Sequence, residues 1–312
     1  MKIKILFFAL LCVTSTVSAQ YSKSNLKLES ASTESKYKFK NLQLYPIRAN
    51  DVFVNQHKKT GKFVTLKEAL AKKKVVITES NEEEVNNLFI ENISKDTVIV
   101  LSGEVVQGGK QDRMIAQDFI LYPKSGKKDV SVFCVEHGRW QPKGDGKAFN
   151  QYYDISSNEV RKAATVKKDQ SEVWNKVAET TSKNKAQTST GTLTALKDAN
   201  EFKGELKKYT DFFNGVITNE TTVIGVVAVS GDKVLGCDMF ATHDLLNKYY
   251  ANLISSYATE AITNGKNVTV PRQKVDEYLQ KIIDDEGKQD KTIKENGTML
   301  KDGKYKLHIS TF

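Results

Sequence analysis

The chain reads Gly103-Glu-Val-Val-Gln-Gly-Gly-Lys-Gln-Asp-Arg113 and then, past an apolar stretch, Cys134-Val-Glu-His-Gly-Arg-Trp140. These two polar clusters bracket strand-like sequence. Val130, Val132, Cys134 and Glu136 alternate with Ser131, Phe133, Val135 and His137, the two-residue period of a β-strand. Gly108-Gly109 signals a turn leading into Arg113–Tyr122, and residues 123–128 make another. Upstream, Val85–Asn92 and Thr97–Val106 read as strands joined by a polar Ser-Lys-Asp turn. Residues 85–137 are therefore expected to form an antiparallel meander.

Outward from the meander the period changes. Thr65-Leu-Lys-Glu68 is a capping box at a helix start. Ser156-Ser-Asn-Glu159 caps a short helix, and Asp169 opens another with a Val173, Trp174, Val177, Ala178 stripe. Residues 195–213 return to helix after a polar loop, Lys183–Thr194, which is long for a connection and reads as mobile or functional. Val223–Val229 and Val234–Met239 form a hairpin around Ser230-Gly-Asp-Lys233. A long helix starts at Thr242 or His243, and a further one runs from Pro271 to about Asp285. Strands come first and helices afterwards, which predicts an α+β fold: an antiparallel strand meander in the N-terminal half packed with helices from the C-terminal half. Residues 39–285 are expected as one domain, residues 20–38 as a polar tether, and residues 286–312 as a C-terminal hairpin extension.

Residues 1–19 read as a cleaved secretory signal: Lys2 and Lys4, an apolar Ile5–Val13 core, then Val17-Ser-Ala19. The core is shorter than the about 20 residues that span a bilayer. A periplasmic or secreted protein is expected, with no integral membrane segment after cleavage. Losing Lys2 and Lys4 takes the formal charge from +9 to +7. The basic residues are dispersed without the aromatic interleaving of a nucleic-acid module, so no nucleic-acid partner is expected. Cys134 and Cys237 are too few for a disulfide scaffold. Their apolar contexts suit buried thiols as well as one bond.

Two stretches carry candidate chemistry. In the 107–113 loop, Gly108 and Gly109 let backbone amides approach an anion, and Lys110 and Arg113 add charge. The spacing is neither a phosphate-binding P-loop nor a dinucleotide fingerprint, and a plain hairpin turn is the simpler alternative. Glu136 sits at a strand end beside Arg139 and Trp140, as a general base, a ligand anchor or half of a structural ion pair. His57, His137, His243 and His308 show no metal-ligand spacing, so neither metal nor cofactor is expected.

The combination Gly108-Gly-Lys-Gln-Asp-Arg113 plus Cys134-Val-Glu-His-Gly-Arg-Trp140 resembles the ARPP domain family, the ARG and Rhodanese-Phosphatase-superfamily-associated domain. Gly103-Glu104, Val173-Trp174, Ser189–Leu193, Gly225–Phe240 and Ser256–Ala258 extend the resemblance over roughly residues 40–265. The family is a domain of unknown function. Its name implies an association with ADP-ribose or phosphate chemistry, an implication that an export signal weakens.

Three readings follow. The leading one is an exported binding protein for a small anionic or nucleotide-sugar-like ligand. Gly108 and Gly109 would present amides; Lys110, Arg113 and Arg139 would hold charge; Gln111 and Glu136 would orient the ligand; Trp140 would stack on a ring. The second is a hydrolase of a phosphate or glycosidic linkage, with Glu136 or Glu104 as acid/base and the 183–194 loop as a lid. The third is a structural envelope interaction protein, in which Arg139, Glu136 and Gln111 close a buried network on themselves. The sequence carries no sign of an oligomeric state.

Overall fold

The computed structural model describes residues 20–80, 84–142 and 146–312; the expected signal sequence lies outside them. The fold is α+β, with the helices concentrated in the second half. The meander does not stay in one sheet. Its strands are shared between a six-stranded antiparallel sheet and a three-stranded one. The six-stranded sheet runs Phe149–Ile155, Glu104–Gly108, Arg113–Ile115, Lys127–Cys134, Asn87–Asn92, Val75–Glu79. The smaller sheet pairs Thr97–Val100 with Phe119–Leu121 antiparallel and with Phe63–Thr65 parallel.

The third sheet is seven-stranded and antiparallel, in the order Leu26–Leu28, Leu42–Ala49, Val223–Ser230, Lys233–Phe240, Tyr305–Thr311, Gly297–Asp302, with Lys38–Phe39 beside Leu42–Ala49. Val223–Ser230 is buried along its whole length, and its near-continuous apolar run is what a strand covered on both faces requires. Val226 and Ala228 pack under the helix His243–Thr263, against Leu246, Tyr249 and Leu253. Val227 and Val229 face the other way, toward Val275 and Leu279 of the helix Arg272–Ile282. Adjacent residues on opposite faces is the strand period expressed as packing.

Several expectations change. Residues 20–38 are packed, not a free tether: Tyr21 is fully buried, Leu26–Leu28 pairs with Leu42–Ala49, and Ala31–Tyr37 is a 3-10 helix. Beyond residue 285 a helix, Glu286–Asn296, precedes the hairpin, which is built into the seven-stranded sheet. Asn158–Lys162 starts at Ser157 without a side-chain cap and runs into a π-helical turn, Ala163–Lys167. Residues 193–198 form a separate 3-10 helix before Asn200–Phe213. The capping box is present with both its hydrogen bonds, and Asp169 caps Gln170–Lys183. Cys134 and Cys237 are buried free thiols in different sheets.

Candidate functional site

The two sequence clusters meet, and they meet at Arg139. Its guanidinium makes five hydrogen bonds: Nε to Glu136 at 2.8 Å, Nη1 to the carbonyls of Gly109 at 2.6 Å and Gln141 at 2.8 Å, Nη2 to the Gly108 carbonyl at 3.1 Å and Asp112 at 3.3 Å. An arginine has five N–H donors, so every one is engaged within the chain.

The loop amides are engaged as well. Gly108 N–H donates to Asp112 at 3.3 Å, Gly109 N–H to the Ala148 carbonyl at 3.1 Å, Lys110 N–H to Glu79 at 2.6 Å, and Asp112 N–H to Glu136 at 3.0 Å. The chain fills its own anion cradle with Glu79, Asp112 and Glu136. Gly109 is glycine for a packing reason: at φ +45° a Cβ there would lie 2.3 Å from Glu79 Oε1 and 2.5 Å from the Phe149 ring.

The polar loop before Leu193 is part of the same network. Thr190 donates to Glu136 Oε1 at 2.7 Å; Thr192 and Thr194 donate to Asp112 at 3.1 and 2.9 Å. Burial alone would raise the Glu136 carboxyl, but Arg139, Thr190 and the Asp112 amide outweigh it and hold it below the usual range. A carboxylate stabilised in its charged form is a weak proton donor at neutral pH.

The remaining sequence-predicted residues separate. Gln111 reaches the His137 carbonyl at 3.5 Å and accepts from Arg113 Nη1 at 2.8 Å. Arg113 is fully buried; its Nε and Nη2 have no partner among the described residues, and burial lowers its pKa. Trp140 is 42% exposed, with the Lys110 ammonium 4.8 Å from its ring centre. His137 turns outward onto Trp174, ring centres 4.3 Å apart. Glu104 begins the strand that Gly108 ends. At about 3.3 Å per residue its backbone is roughly 13 Å from the Arg139 hub along that strand. It accepts from the Leu101 amide at 2.7 Å, and burial pushes its carboxyl up to about 8.

Sequence reasoning missed a second buried network. His308 lies between two carboxylates, Nδ1 2.8 Å from Asp118 and Nε2 3.0 Å from Asp238. Arg161 holds Asp238 with both terminal nitrogens, at 3.2 and 2.9 Å, and the Tyr257 hydroxyl donates to the same carboxylate. Burial opposes a charged imidazole, but Asp118 and Asp238 prevail and raise His308 to about 9. The network is enclosed and ties the strands Lys233–Phe240 and Tyr305–Thr311 to the helix Asn158–Lys162. Its visible signal was Asp238, a charge inside an apolar strand.

An open cleft lies elsewhere. About 520 Å³ in volume, it runs between residues 54–63 and residues 241–248, where the helix His243–Thr263 begins. Small-molecule sites span about 300–1,000 Å³. Lys58, Lys62 and Lys248 line it, with Asp244 in the same wall; Lys248 also reaches Glu68 at 3.3 Å. Thr242 caps the helix by accepting from the Leu245 amide at 3.2 Å, and the amides just before it have no acceptor within the helix. His243 fixes this end, with Nδ1 2.7 Å from the Val223 carbonyl. The sequence showed the lysines and the helix start separately, with nothing to say that they converge.

Among the described residues no helix is long and apolar enough to cross a membrane. No curated protein and no solved structure gives a match. The model of one family does match, over residues 30–306, a span that includes both polar clusters and the strands that carry them. The chain belongs to the family of the ARG and Rhodanese-Phosphatase-superfamily-associated Protein domain.

Proposed function

We propose that this chain is an exported binding protein for a small anionic ligand, and that the ligand sits in the cleft between residues 54–63 and 241–248. One observation carries the reading: three lysines and the amino end of a 21-residue helix surround one cleft of ligand size. Helix amides and the helix dipole both favour a negative group at that end. The net positive charge of the chain works in the same direction. Export rests on the signal-like first nineteen residues.

Two observations favour binding over hydrolysis. Glu136 is engaged with Arg139 and Thr190. Glu104 stands at the opposite end of its strand, too far for the about 5–10 Å of paired-carboxylate chemistry. The Arg139 hub then serves as scaffold.

The test is a thermal-shift series with inorganic phosphate, sugar phosphates and ADP-ribose, run on the wild type and on a Lys58→Glu/Lys62→Glu double variant. Stabilisation of the wild type that falls with salt and is absent in the variant supports the reading. Equal shifts in both proteins, or none in either, refute it.

A further inference from the structure

Asparagine followed by glycine occurs three times, at Asn214-Gly215, Asn264-Gly265 and Asn296-Gly297. Glycine has no Cβ to shield its backbone nitrogen, and that nitrogen can attack the side-chain amide of the asparagine before it. The three pairs share this chemistry, and each stands at the carboxyl end of a helix. The fold holds two of them. Gly265 N–H donates to the Ala261 carbonyl at 3.1 Å, and the Asn264 carboxamide is bonded to Glu260 Oε1 at 2.9 Å and to Lys183. Gly297 N–H donates to the Ile293 carbonyl, the Asn296 carboxamide donates to the Thr292 carbonyl at 3.0 Å, and the Asn296 carbonyl accepts from Phe312 N–H at 2.9 Å.

The third pair is held by nothing comparable. Asn214 leaves its helix in an extended conformation, φ −61° and ψ 125°, and both residues of the pair are exposed. The Asn214 carboxamide, the Asn214 carbonyl and the Gly215 N–H have no hydrogen-bond partner among the described residues. No hydrogen bond therefore stops the peptide group between them from turning its nitrogen toward the side chain. Around Gly215 itself the space is open, since a Cβ there would meet nothing nearer than Thr218 Oγ1 at 3.9 Å.

We infer that Asn214 is a site of spontaneous deamidation, and that the helix-end hydrogen bonds protect Asn264 and Asn296 from the same reaction. The Gly215 nitrogen gives its proton to solvent and bonds to Cγ of Asn214. The Cγ–Nδ2 bond breaks and ammonia leaves with a proton from solvent. Water then opens the cyclic imide at either carbonyl, giving aspartate or isoaspartate. Either product adds one negative charge, and isoaspartate also lengthens the main chain inside a turn closed by Val216 N–H to Phe213 and Thr218 N–H to Gly215.

Peptide mapping by mass spectrometry after incubation in mildly alkaline buffer tests it, on the wild type folded and in urea, and on a Gly215→Ala variant. In the folded protein Asn214 is expected to convert roughly tenfold faster than Asn264 or Asn296, the factor for breaking one intramolecular hydrogen bond. In urea the three rates should converge. Gly215→Ala puts a methyl beside the attacking nitrogen and should slow conversion at 214 several-fold while leaving the other two sites unchanged. If that variant does not fold, the comparison of folded with denatured wild type decides alone. Equal rates in the folded protein, a lead at 264 or 296, or no conversion at 214 while the denatured chain converts, overturns the inference. So does a preference for 214 that persists in urea, which would belong to the flanking sequence, or a rate at 214 that Gly215→Ala leaves unchanged.

Discussion

Thr190 donates its hydroxyl to Glu136 at 2.7 Å across 54 positions of the chain. That bond, with those from Thr192 and Thr194 to Asp112, fastens the polar loop of residues 183–194 to the end of the six-stranded sheet. What read as a lid is a clasp. Removing two of its hydroxyls, Thr190→Val with Thr194→Val, leaves buried carboxylate oxygens short of donors. Tryptic cleavage near Lys185 should accelerate several-fold in the double variant. An unchanged cleavage rate would show that the hydroxyls do not hold the loop.

Arg139 is expected to be indispensable for stability. Removing one partner of a buried ion pair costs about 3–5 kcal/mol, and Arg139→Ala strips charge from both Glu136 and Asp112. Arg139→Lys should also destabilise strongly, because an ammonium has three donors where five acceptors wait. Urea denaturation measures both. A lysine variant within about 0.5 kcal/mol of wild type, the range of ordinary surface substitutions, would refute the hub.

Two glycines make a matched pair. Gly126 has φ +70° with open space where a side chain would stand, whereas Gly109 has φ +45° with Glu79 and Phe149 in the way. Gly126→Ala should cost only the left-handed backbone penalty, about 1–2 kcal/mol. Gly109→Ala should cost distinctly more, read as a larger drop in Tm. Equal drops would mean that the loop yields to the added methyl.

Stability should fall on the alkaline side. His308 is raised from 6.5 to about 9, so its contribution is whole below pH 6.5 and lost as pH rises through 9. Glu104 is raised from 4.5 to about 8 and acts in the same sense, since the folded state holds its proton more tightly. Asp118 and Asp238 are depressed, so their contributions are present above 3.8 and fade as pH falls. Guanidinium melts should show greater stability at pH 6.5 than at pH 9.5, with a shallower slope in His308→Gln. A flat profile in the wild type would contradict the assignment.

Neither cysteine should react quickly in the folded protein. Burial raises both thiols above their usual range, and the two lie in separate sheets. A thiol reagent should label both only after denaturation. Rapid native labelling, or a disulfide found by mass spectrometry, would count against this arrangement.

The sequence was legible where information is local. The Ser230–Lys233 turn, the Thr65/Glu68 capping box and the Asp169 cap each depend on neighbours within a few residues, and each is where the pattern put it. Glu286–Asn296 was missed because only Gln289 and Ile293 turn inward, too few to set an apolar stripe. The glycine loop misled for another reason: a backbone open to an outside anion and one filled by Glu79 have the same local sequence. The His308 network joins residues 118, 161, 238 and 308, and no periodicity reaches across such gaps.

The seven-stranded sheet holds Leu26–Leu28 at one margin and Tyr305–Thr311 one strand in from the other. Tyr21 donates its hydroxyl to the Lys306 carbonyl, and Gln289 donates to the carbonyl of Tyr21. During synthesis, then, Leu26–Leu28 can pair with Leu42–Ala49 early, but Tyr21 completes its contacts only after residues 289 and 306 have been made. Contacts that span more than 260 positions are slow to form, since distant segments must meet before those contacts repay the lost entropy.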